Sequence, residues 1–181
     1  TMGRDSLLRK NQLWVNQGLP TPPVGGRGGA GEGSVPTFKE MAADYGIADM
    51  GHSMNATFFD YDLDGDLDLY ILNNIVNKEV PTNYRPKITD GTAANNDKFY
   101  KNLGNGHFID ASKEAGIIYE GFGLGLAIGD INKDGYPDIY ISNDYISNDL
   151  LYINTPLEGG KGGRTFKNEI TTYMAYQSKF S

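Results

Sequence analysis

The feature that most constrains this chain is a nine-residue acidic segment that occurs twice, as DYDLDGDLD at residues 60–68 and DINKDGYPD at residues 130–138. Both copies carry oxygen-bearing side chains at positions 1, 3, 5 and 9 and a glycine at position 6. Carboxylates this close together repel one another unless a cation lies among them. Because Ca²⁺ accepts about six to eight oxygen ligands in an irregular loop, the repetition predicts two Ca²⁺ sites.

Each segment predicts its own ligands, which are four side chains and the backbone carbonyl at position 7. In the first segment, called loop 1, these are Asp60, Asp62, Asp64, Asp68 and the carbonyl of Asp66. In the second, called loop 2, they are Asp130, Asn132, Asp134, Asp138 and the carbonyl of Tyr136. Gly65 and Gly135 fall where the chain must turn sharply, since glycine adopts positive φ at little steric cost. The alternative is a pair of solvated turns, which Asp- and Gly-rich runs often form.

The residues around each loop exclude an EF-hand and indicate strands. An EF-hand needs a bidentate glutamate at position 12 and flanking helices, whereas position 12 is Ile71 in loop 1 and Ile141 in loop 2. Alternating Leu, Ile and Tyr after each loop predict a strand. Residues 55–59 and 125–129, which precede the loops, predict short buried strands. Each loop is therefore expected to join two strands of a β-hairpin.

The loops belong to a longer repeat. NDKFYKN at residues 96–102 matches NDLLYIN at 148–154 and, more weakly, KNQLWVN at 10–16. Repeats of this size with about four short strands predict an all-β fold, the four-stranded antiparallel blades of a β-propeller. Four aromatic residues that recur at fixed repeat positions are expected in the core: Trp14, Phe99, Tyr100 and Tyr152.

The repeat boundaries divide the chain into a partial blade, two blades with acidic loops and the start of another blade, expected at residues 1–47, 48–117, 118–170 and 171–181. About three blades cannot close a ring, which usually needs about four to eight. We expect the rest of a longer chain, with a further acidic loop near position 188, or another protein to complete the propeller. Insertions at 19–36, 73–95 and 155–164 are expected on a binding face or as flexible surface loops.

Composition bounds the class of protein. A net charge of −7 and an isoelectric point of about 4.7 argue against nucleic-acid binding. No apolar run is long enough for a transmembrane segment. The absence of cysteine excludes disulfides and thiolate metal sites. Ca²⁺ loops without the bidentate glutamate are commonly weak, which favours an extracellular setting.

No catalytic motif emerges from the sequence. His52 and His107 lie at different repeat positions without a nucleophile motif, so turn roles are favoured over general-base roles. Asp144 and Asp149 could pair as glycosidase carboxylates. Their repeat equivalents, Asn74 and Asp97, favour structural roles in turns instead. We therefore predict no catalytic residue and no organic cofactor, and we favour a non-enzymatic role.

The runs at residues 58–74, 96–117 and 122–145 resemble VCBS/FG-GAP repeats, which also build the propellers of integrin α-subunits. Their order is most similar to the ASPIC-type, cartilage-acidic-protein-like group. The resemblance implies a Ca²⁺-stabilised propeller that is secreted or lies at the cell surface, associated with a bacterial outer membrane. It implies binding of a protein or glycan, as in a surface protein complex. The alternatives are a segment of a polysaccharide-processing enzyme of the lyase or hydrolase type, and a structural spacer.

Overall fold

The computed structural model describes residues 10–18, 35–75, 86–144, 147–158 and 163–174, and these ranges form short β-strands with two one-turn helices. The elements are β1 (Trp14–Asn16), β2 (Phe38–Glu40), α1 (Ala42–Tyr45), β3 (Ser53–Phe59), β4 (Asp68–Asn73), β5 (Lys98–Asn102), β6 (Phe108–Asp110), β7 (Gly123–Gly129), β8 (Asp138–Asn143), β9 (Leu150–Pro156), β10 (Arg164–Asn168) and α2 (Ile170–Tyr173). Among the described residues no helix is long and apolar enough to cross a membrane.

The strands form antiparallel sheets in which neighbours in sequence are neighbours in space. Two sheets have four strands each, in the orders β3-β4-β5-β6 and β7-β8-β9-β10, and β1 pairs with β2. By their place in the repeat, β1 and β2 correspond to the third and fourth strands of the larger sheets. These two strands pair in the same register in all three sheets: Trp14 with Glu40, Tyr100 with Asp110, and Tyr152 with Asn168. The prediction of an all-β fold built from four-stranded propeller blades is confirmed.

The cores lie between successive sheets, because the central strands are apolar on both faces. In β4, Leu69 and Ile71 face the β1–β2 sheet, while Tyr70 and Leu72 face the β7–β10 sheet. All six residues of β4 are buried as a result. Alternation places successive side chains on opposite faces of a strand, so each four-stranded sheet contributes to two cores.

Two glycines in the connections between sheets allow close contact with the backbone of the following sheet. Gly46 and Gly116 have φ angles of 81° and 80°. A Cβ on Gly46 would lie 2.7 Å from the carbonyl oxygen of Phe108, and one on Gly116 would clash with that of Phe166. The backbone N–H of Phe166 donates to Ala115 O at 2.8 Å. Each Gly-Ile step therefore packs against the outermost strand of the following sheet, which needs a residue without a side chain.

Two sequence-based expectations about burial are wrong. The residues before the loops do form strands, but β3 and β7 are largely accessible to solvent because each is an edge strand with a neighbour on one side. Trp14 is 57% exposed, since β1 pairs only with β2 among the described residues. The expected core positions of Phe99, Tyr100 and Tyr152 are confirmed.

The described residues on either side of the predicted insertions lie at two different ends of the sheets. In an antiparallel meander the first and third connections share one end. The described residues that flank the insertions at 19–36 and 155–164 therefore lie at the end of the acidic loops, and those that flank the insertion at 73–95 lie at the opposite end. Residues 19–34, 76–85, 159–162 and 175–181 are outside the described ranges, as are residues 1–9.

The described part of the 73–95 insertion runs along the start of the next repeat. Ile88 N donates to the Glu120 carboxylate at 2.9 Å, and Glu120 N donates back to Ile88 O at 2.9 Å. Gly91 N donates to Ile118 O at 3.0 Å. This part of the insertion is held by backbone hydrogen bonds and is not a free loop.

Candidate metal centre

Each acidic loop connects the first two strands of its sheet, as predicted. Loop 1 lies between β3, which ends at Phe59, and β4, which begins at Asp68. Loop 2 lies between β7, which ends at Gly129, and β8, which begins at Asp138. The pairing of Phe59 with Asp68 and of Gly129 with Asp138 fixes the ends of both loops in the same register.

The first aspartate of each loop folds the chain back over itself. Its two carboxylate oxygens accept hydrogen bonds from the backbone N–H groups at positions 5 and 6, and the position-5 carboxylate accepts one from position 7. In loop 1 the donors Asp64 N, Gly65 N and Asp66 N lie at 3.1, 3.0 and 2.9 Å. In loop 2 the donors Asp134 N, Gly135 N and Tyr136 N lie at 3.0, 2.9 and 2.9 Å. The two loops therefore share one backbone conformation.

Positive φ angles recur at two positions of that conformation. Gly65 and Gly135 have φ angles of 93° and 90°, which confirms the sharp turn predicted at position 6. A Cβ on either glycine would meet nothing within 4 Å, so the φ angle alone requires glycine. Position 4 is also left-handed, with φ of 61° at Leu63 and 64° at Lys133. The sequence offers no signal for this second position, because neither residue type favours it.

The last aspartate of each loop ties the loop to the third strand of the sheet. Asp68 Oδ1 accepts from Asn102 N at 2.8 Å, and Oδ2 accepts from Tyr61 N at 3.2 Å. Asp138 is bonded in the same way, by Asn154 N at 2.8 Å and Ile131 N at 2.8 Å. Both aspartates are buried. Burial raises the pKa of Asp68 to about 6, although the two N–H bonds oppose the rise.

Three of the predicted ligands converge in loop 1. One carboxylate oxygen each from Asp60, Asp62 and Asp68 lie within 4.8 Å of one another. Oxygens bound to one Ca²⁺ at about 2.3–2.6 Å lie no more than about 5 Å apart, so this spacing fits a shared ion. Asp62 Oδ1 is buried without a hydrogen-bond partner. A buried oxygen of this kind costs free energy unless something pairs with it.

Loop 2 has the same backbone but is more open at its side chains. Among the described residues, the carboxylates of this loop do not converge as those of loop 1 do. Asn132 Nδ2 donates to Asp134 Oδ2 at 3.1 Å. The guanidinium of Arg164 lies 3.5 Å from the same oxygen and 3.3 Å from the centre of the Tyr136 ring. Asp134 is therefore turned toward two donors.

Two basic side chains at the loops carry no signal in the sequence. Lys101 on β5 donates to Asp62 Oδ2 at 2.7 Å and to the Tyr61 hydroxyl at 3.1 Å. Arg164 on β10 reaches loop 2. Neither residue has a basic counterpart in the other four-stranded sheet, since Ile153 matches Lys101 and Gly106 matches Arg164. Only the folded hairpins bring these residues to the carboxylates.

The carboxylates considered for glycosidase chemistry have structural partners. Asp149 accepts from the Tyr140 hydroxyl at 2.6 Å and from Asn143 N at 2.8 Å. Its equivalent Asp97 accepts from the Tyr70 hydroxyl at 2.7 Å and from Asn73 N at 2.8 Å. Both aspartates therefore join the second strand of their sheet, by hydrogen bonds, to the turn that precedes the third strand.

The remaining candidates for chemistry lie in connections between strands. Asp144 N donates to Phe122 O at 2.9 Å, as Asn74 N does to His52 O at 3.0 Å. His107 lies in the hairpin before β6, where its N–H is bonded by Asn105 Oδ1 at 3.1 Å. In these contacts, Asp144, His52 and His107 each take part through the backbone, in turns or at strand ends.

Comparison with known proteins agrees with the fold. A comparison with curated proteins finds no significant match. Residues 88–141 match the FG-GAP-like repeat family. The matched span begins before β5, ends within β8 and includes all of loop 2. The chain therefore contains an FG-GAP-like repeat within an all-β fold of propeller-like blades.

Proposed function

We propose that the chain binds Ca²⁺ at loops 1 and 2 and works as a calcium-stabilised binding module. The observation that carries the proposal is the convergence of Asp60, Asp62 and Asp68, with one buried Asp62 oxygen left unpaired. All the side-chain donors are hard oxygens, the ligands that Ca²⁺ prefers. The bound ion would supply positive charge that offsets the repulsion among these carboxylates.

The two loops are expected to differ in affinity. In loop 1 the expected side-chain ligands are Asp60, Asp62, Asp64 and Asp68, of which three already converge. In loop 2 the corresponding residues are Asp130, Asn132, Asp134 and Asp138, with one charge fewer. Each loop also has one basic neighbour, Lys101 beside Asp62 and Arg164 beside Asp134, so these residues do not distinguish the two loops. Loop 1 is therefore proposed as the tighter site.

The same loops support a proposal about the setting of the module. Ca²⁺ sites without a bidentate glutamate suit extracellular modules, which work at about 10⁻⁴–10⁻³ M. We therefore propose a secreted or cell-surface protein, of the ASPIC-type group within the FG-GAP-like repeats, that binds a protein or glycan. The edge strands and Trp14, which is 57% exposed, support completion of the blades by further chain or by another protein.

Calcium removal tests the proposal directly. An ion that binds only the folded chain, at a free concentration about one to ten times its dissociation constant, adds about 0.4–1.4 kcal/mol per site to the free energy of unfolding. Thermal unfolding should therefore shift upward on going from EDTA to millimolar Ca²⁺. Millimolar Mg²⁺ is the control, because this ion demands an octahedral geometry that the loop does not impose. Equal midpoints in EDTA and Ca²⁺ would refute the proposal.

A pair of variants tests the ligand assignment in loop 1. Asp64→Ala should weaken Ca²⁺ binding strongly, because position 5 is expected to supply a side-chain oxygen. Asp66→Ala should have a small effect, because position 7 is expected to supply a backbone carbonyl that alanine retains. Isothermal titration with Ca²⁺ measures both affinities. An equal loss in the two variants would show that the ligand register is wrong.

A further inference from the structure

A buried hydrogen-bond path joins the two acidic loops across the sheet interface. It starts in loop 1, where Tyr61 N donates to Asp68 Oδ2 at 3.2 Å. The carbonyl oxygen of Tyr61 then accepts from Asn154 Nδ2 at 2.7 Å. The path ends in loop 2, where Asn154 Nδ2 also donates to Pro137 O at 3.2 Å and Asn154 N donates to Asp138 Oδ1 at 2.8 Å.

The path lies in the interior of the molecule. Tyr61 and Asp68 are 5% and 2% exposed, and Asp138 and Asn154 are fully buried. Hydrogen bonds are electrostatically stronger in such surroundings than in water, and an unpaired group is costly there. A shift of Tyr61 therefore cannot leave Asn154 in place without loss of a buried hydrogen bond. Asn154 in turn cannot move without disturbing Asp138.

Arg164 fixes the orientation of the Asn154 amide. Its Nε donates to Asn154 Oδ1 at 2.7 Å, and its terminal nitrogen donates to Asn154 O at 2.9 Å. A guanidinium can only donate, so the amide oxygen must face Arg164. The amide nitrogen must then face the carbonyls of Tyr61 and Pro137, which can only accept. The geometry leaves one orientation in which all these groups are satisfied.

We infer that Asn154 is a positioning residue that couples the two loops, so that an ion bound in one loop raises the affinity of the other. The inference rests on the proposed Ca²⁺ binding. An ion in loop 1 orders Tyr61, which lies between the ligands Asp60 and Asp62. Through Asn154 this order extends to Asp138. The second ion then meets a loop that has already lost part of its conformational freedom, which gives positive coupling.

The first four-stranded sheet provides the matched comparison. Asn102 occupies the same position and makes the same bonds within its sheet, from its N–H to Asp68 at 2.8 Å and from Nδ2 to Leu67 O at 3.1 Å. Among the described residues it makes no bond to a second acidic loop. Asn154 differs from Asn102 in its bonds from Arg164, which fix its amide, and in its contact to Tyr61, which is the step that carries the coupling.

The coupling is measured by Ca²⁺ titration of the unaltered chain, Asp60→Asn and Asp130→Asn. Each variant removes one charge from one loop and alters no side chain or hydrogen bond of the path through Tyr61 and Asn154. We expect the intact loop of each single variant to bind Ca²⁺ at least about fivefold more weakly than in the unaltered chain, by the same factor in both directions. Independent binding, with unchanged affinities, overturns the coupling. Absence of Ca²⁺ binding in the unaltered chain overturns the proposed function instead.

Repeating the measurement in Asn154→Ala and Asn102→Ala backgrounds tests whether Asn154 transmits the coupling. With Asn154→Ala the factor should fall to near one, whereas with Asn102→Ala it should keep its value whatever happens to either affinity. An unchanged factor in Asn154→Ala overturns the role of this residue.

Hydrogen exchange provides a test that does not depend on the folding of Asn154→Ala. In the Asp130→Asn chain, Ca²⁺ bound at loop 1 should slow exchange of the Asn154 and Ile131 amides, both of which donate to Asp138. Equal exchange at these amides with and without Ca²⁺ would contradict the coupling.

Discussion

The ammonium of Lys101 lies 2.7 Å from Asp62 Oδ2, so loop 1 carries a cation of its own beside the three converging carboxylates. Lys101 also lies 5.0 Å from the centre of the Tyr61 ring. The lysine stabilises the loop when no ion is bound. It also opposes the entry of Ca²⁺ through charge repulsion.

Lys101→Met should therefore strengthen Ca²⁺ binding at loop 1. The lysine and a divalent ion about 5 Å apart repel by about 1.7 kcal/mol in water, and screening at physiological salt roughly halves this, so the gain should be about threefold to tenfold. Lys98→Met is the matched control, because Lys98 lies on the same strand and pairs with Asp110 at 2.8 Å. Isothermal titration measures both variants. Weaker binding in Lys101→Met would show that the lysine positions Asp62 and does not compete with the ion.

The strands, the loops and their repetition could be predicted because each depends on local sequence. Runs of Leu, Ile and Tyr define β4 and β8, and the glycine at position 6 of each loop marks a turn that needs positive φ. The repeat then specifies the order of strands in each sheet. These features need no knowledge of which sheets are neighbours.

The rest of the candidate centre depends on contacts between distant residues. Lys101 reaches Asp62 only because β5 lies beside β4, and Arg164 reaches loop 2 only through the β9–β10 hairpin. The bond from Asn154 to Tyr61 joins residues 93 positions apart in different sheets. Trp14 resembles its core counterparts in sequence, but its burial depends on what covers β1. Sequence patterns carry no information about such neighbours.

Gly116→Ala should destabilise the contact between the two four-stranded sheets. Its φ angle is 80°, and an added Cβ would clash with the carbonyl oxygen of Phe166. Strain and displacement of β10 together should lower the free energy of unfolding by about 3 kcal/mol. Gly129→Ala is the control, since a Cβ there meets nothing within 4 Å. Urea unfolding compares the two variants, and similar losses in both would argue against close packing at Gly116.

Leu63→Gly should stabilise the chain, although it removes a large side chain. Leu63 is 54% exposed and has a φ angle of 61°, so it contributes little burial while its backbone is strained. A left-handed conformation costs a non-glycine residue about 1–2 kcal/mol. Glycine removes this cost, but the greater conformational entropy that it loses on folding cancels part of the gain. We expect a net gain of about 0.5 kcal/mol. Leu67→Gly is the control, because Leu67 is 53% exposed and lacks positive φ. Urea unfolding should show opposite signs for the two changes, and a loss in both would mean that Leu63 is not strained.

Asp97 should make the calcium-free chain less stable as the pH rises. Burial raises its pKa from 3.8 to about 7, although hydrogen bonds from Asn73 and Tyr70 oppose the rise. Between these two pH values the folded chain holds a proton that the unfolded chain releases. The free energy of unfolding must therefore decrease as the pH increases from about 4 to about 7. Asp68, whose pKa burial raises to about 6, acts in the same direction over the lower part of this range.

Asp97→Asn separates the two contributions. In this variant the free energy of unfolding should no longer decrease between pH 6 and pH 7, where Asp97 is expected to ionise. It should still decrease below pH 6, where Asp68 contributes. Asp149→Asn, at the same position of the next sheet but partly exposed to solvent, is the matched control. Urea unfolding in calcium-free buffer from pH 4 to pH 8 measures all three chains. If Asp97→Asn retains the full pH dependence of the unaltered chain, Asp97 ionises normally in the folded state and its burial is not the cause.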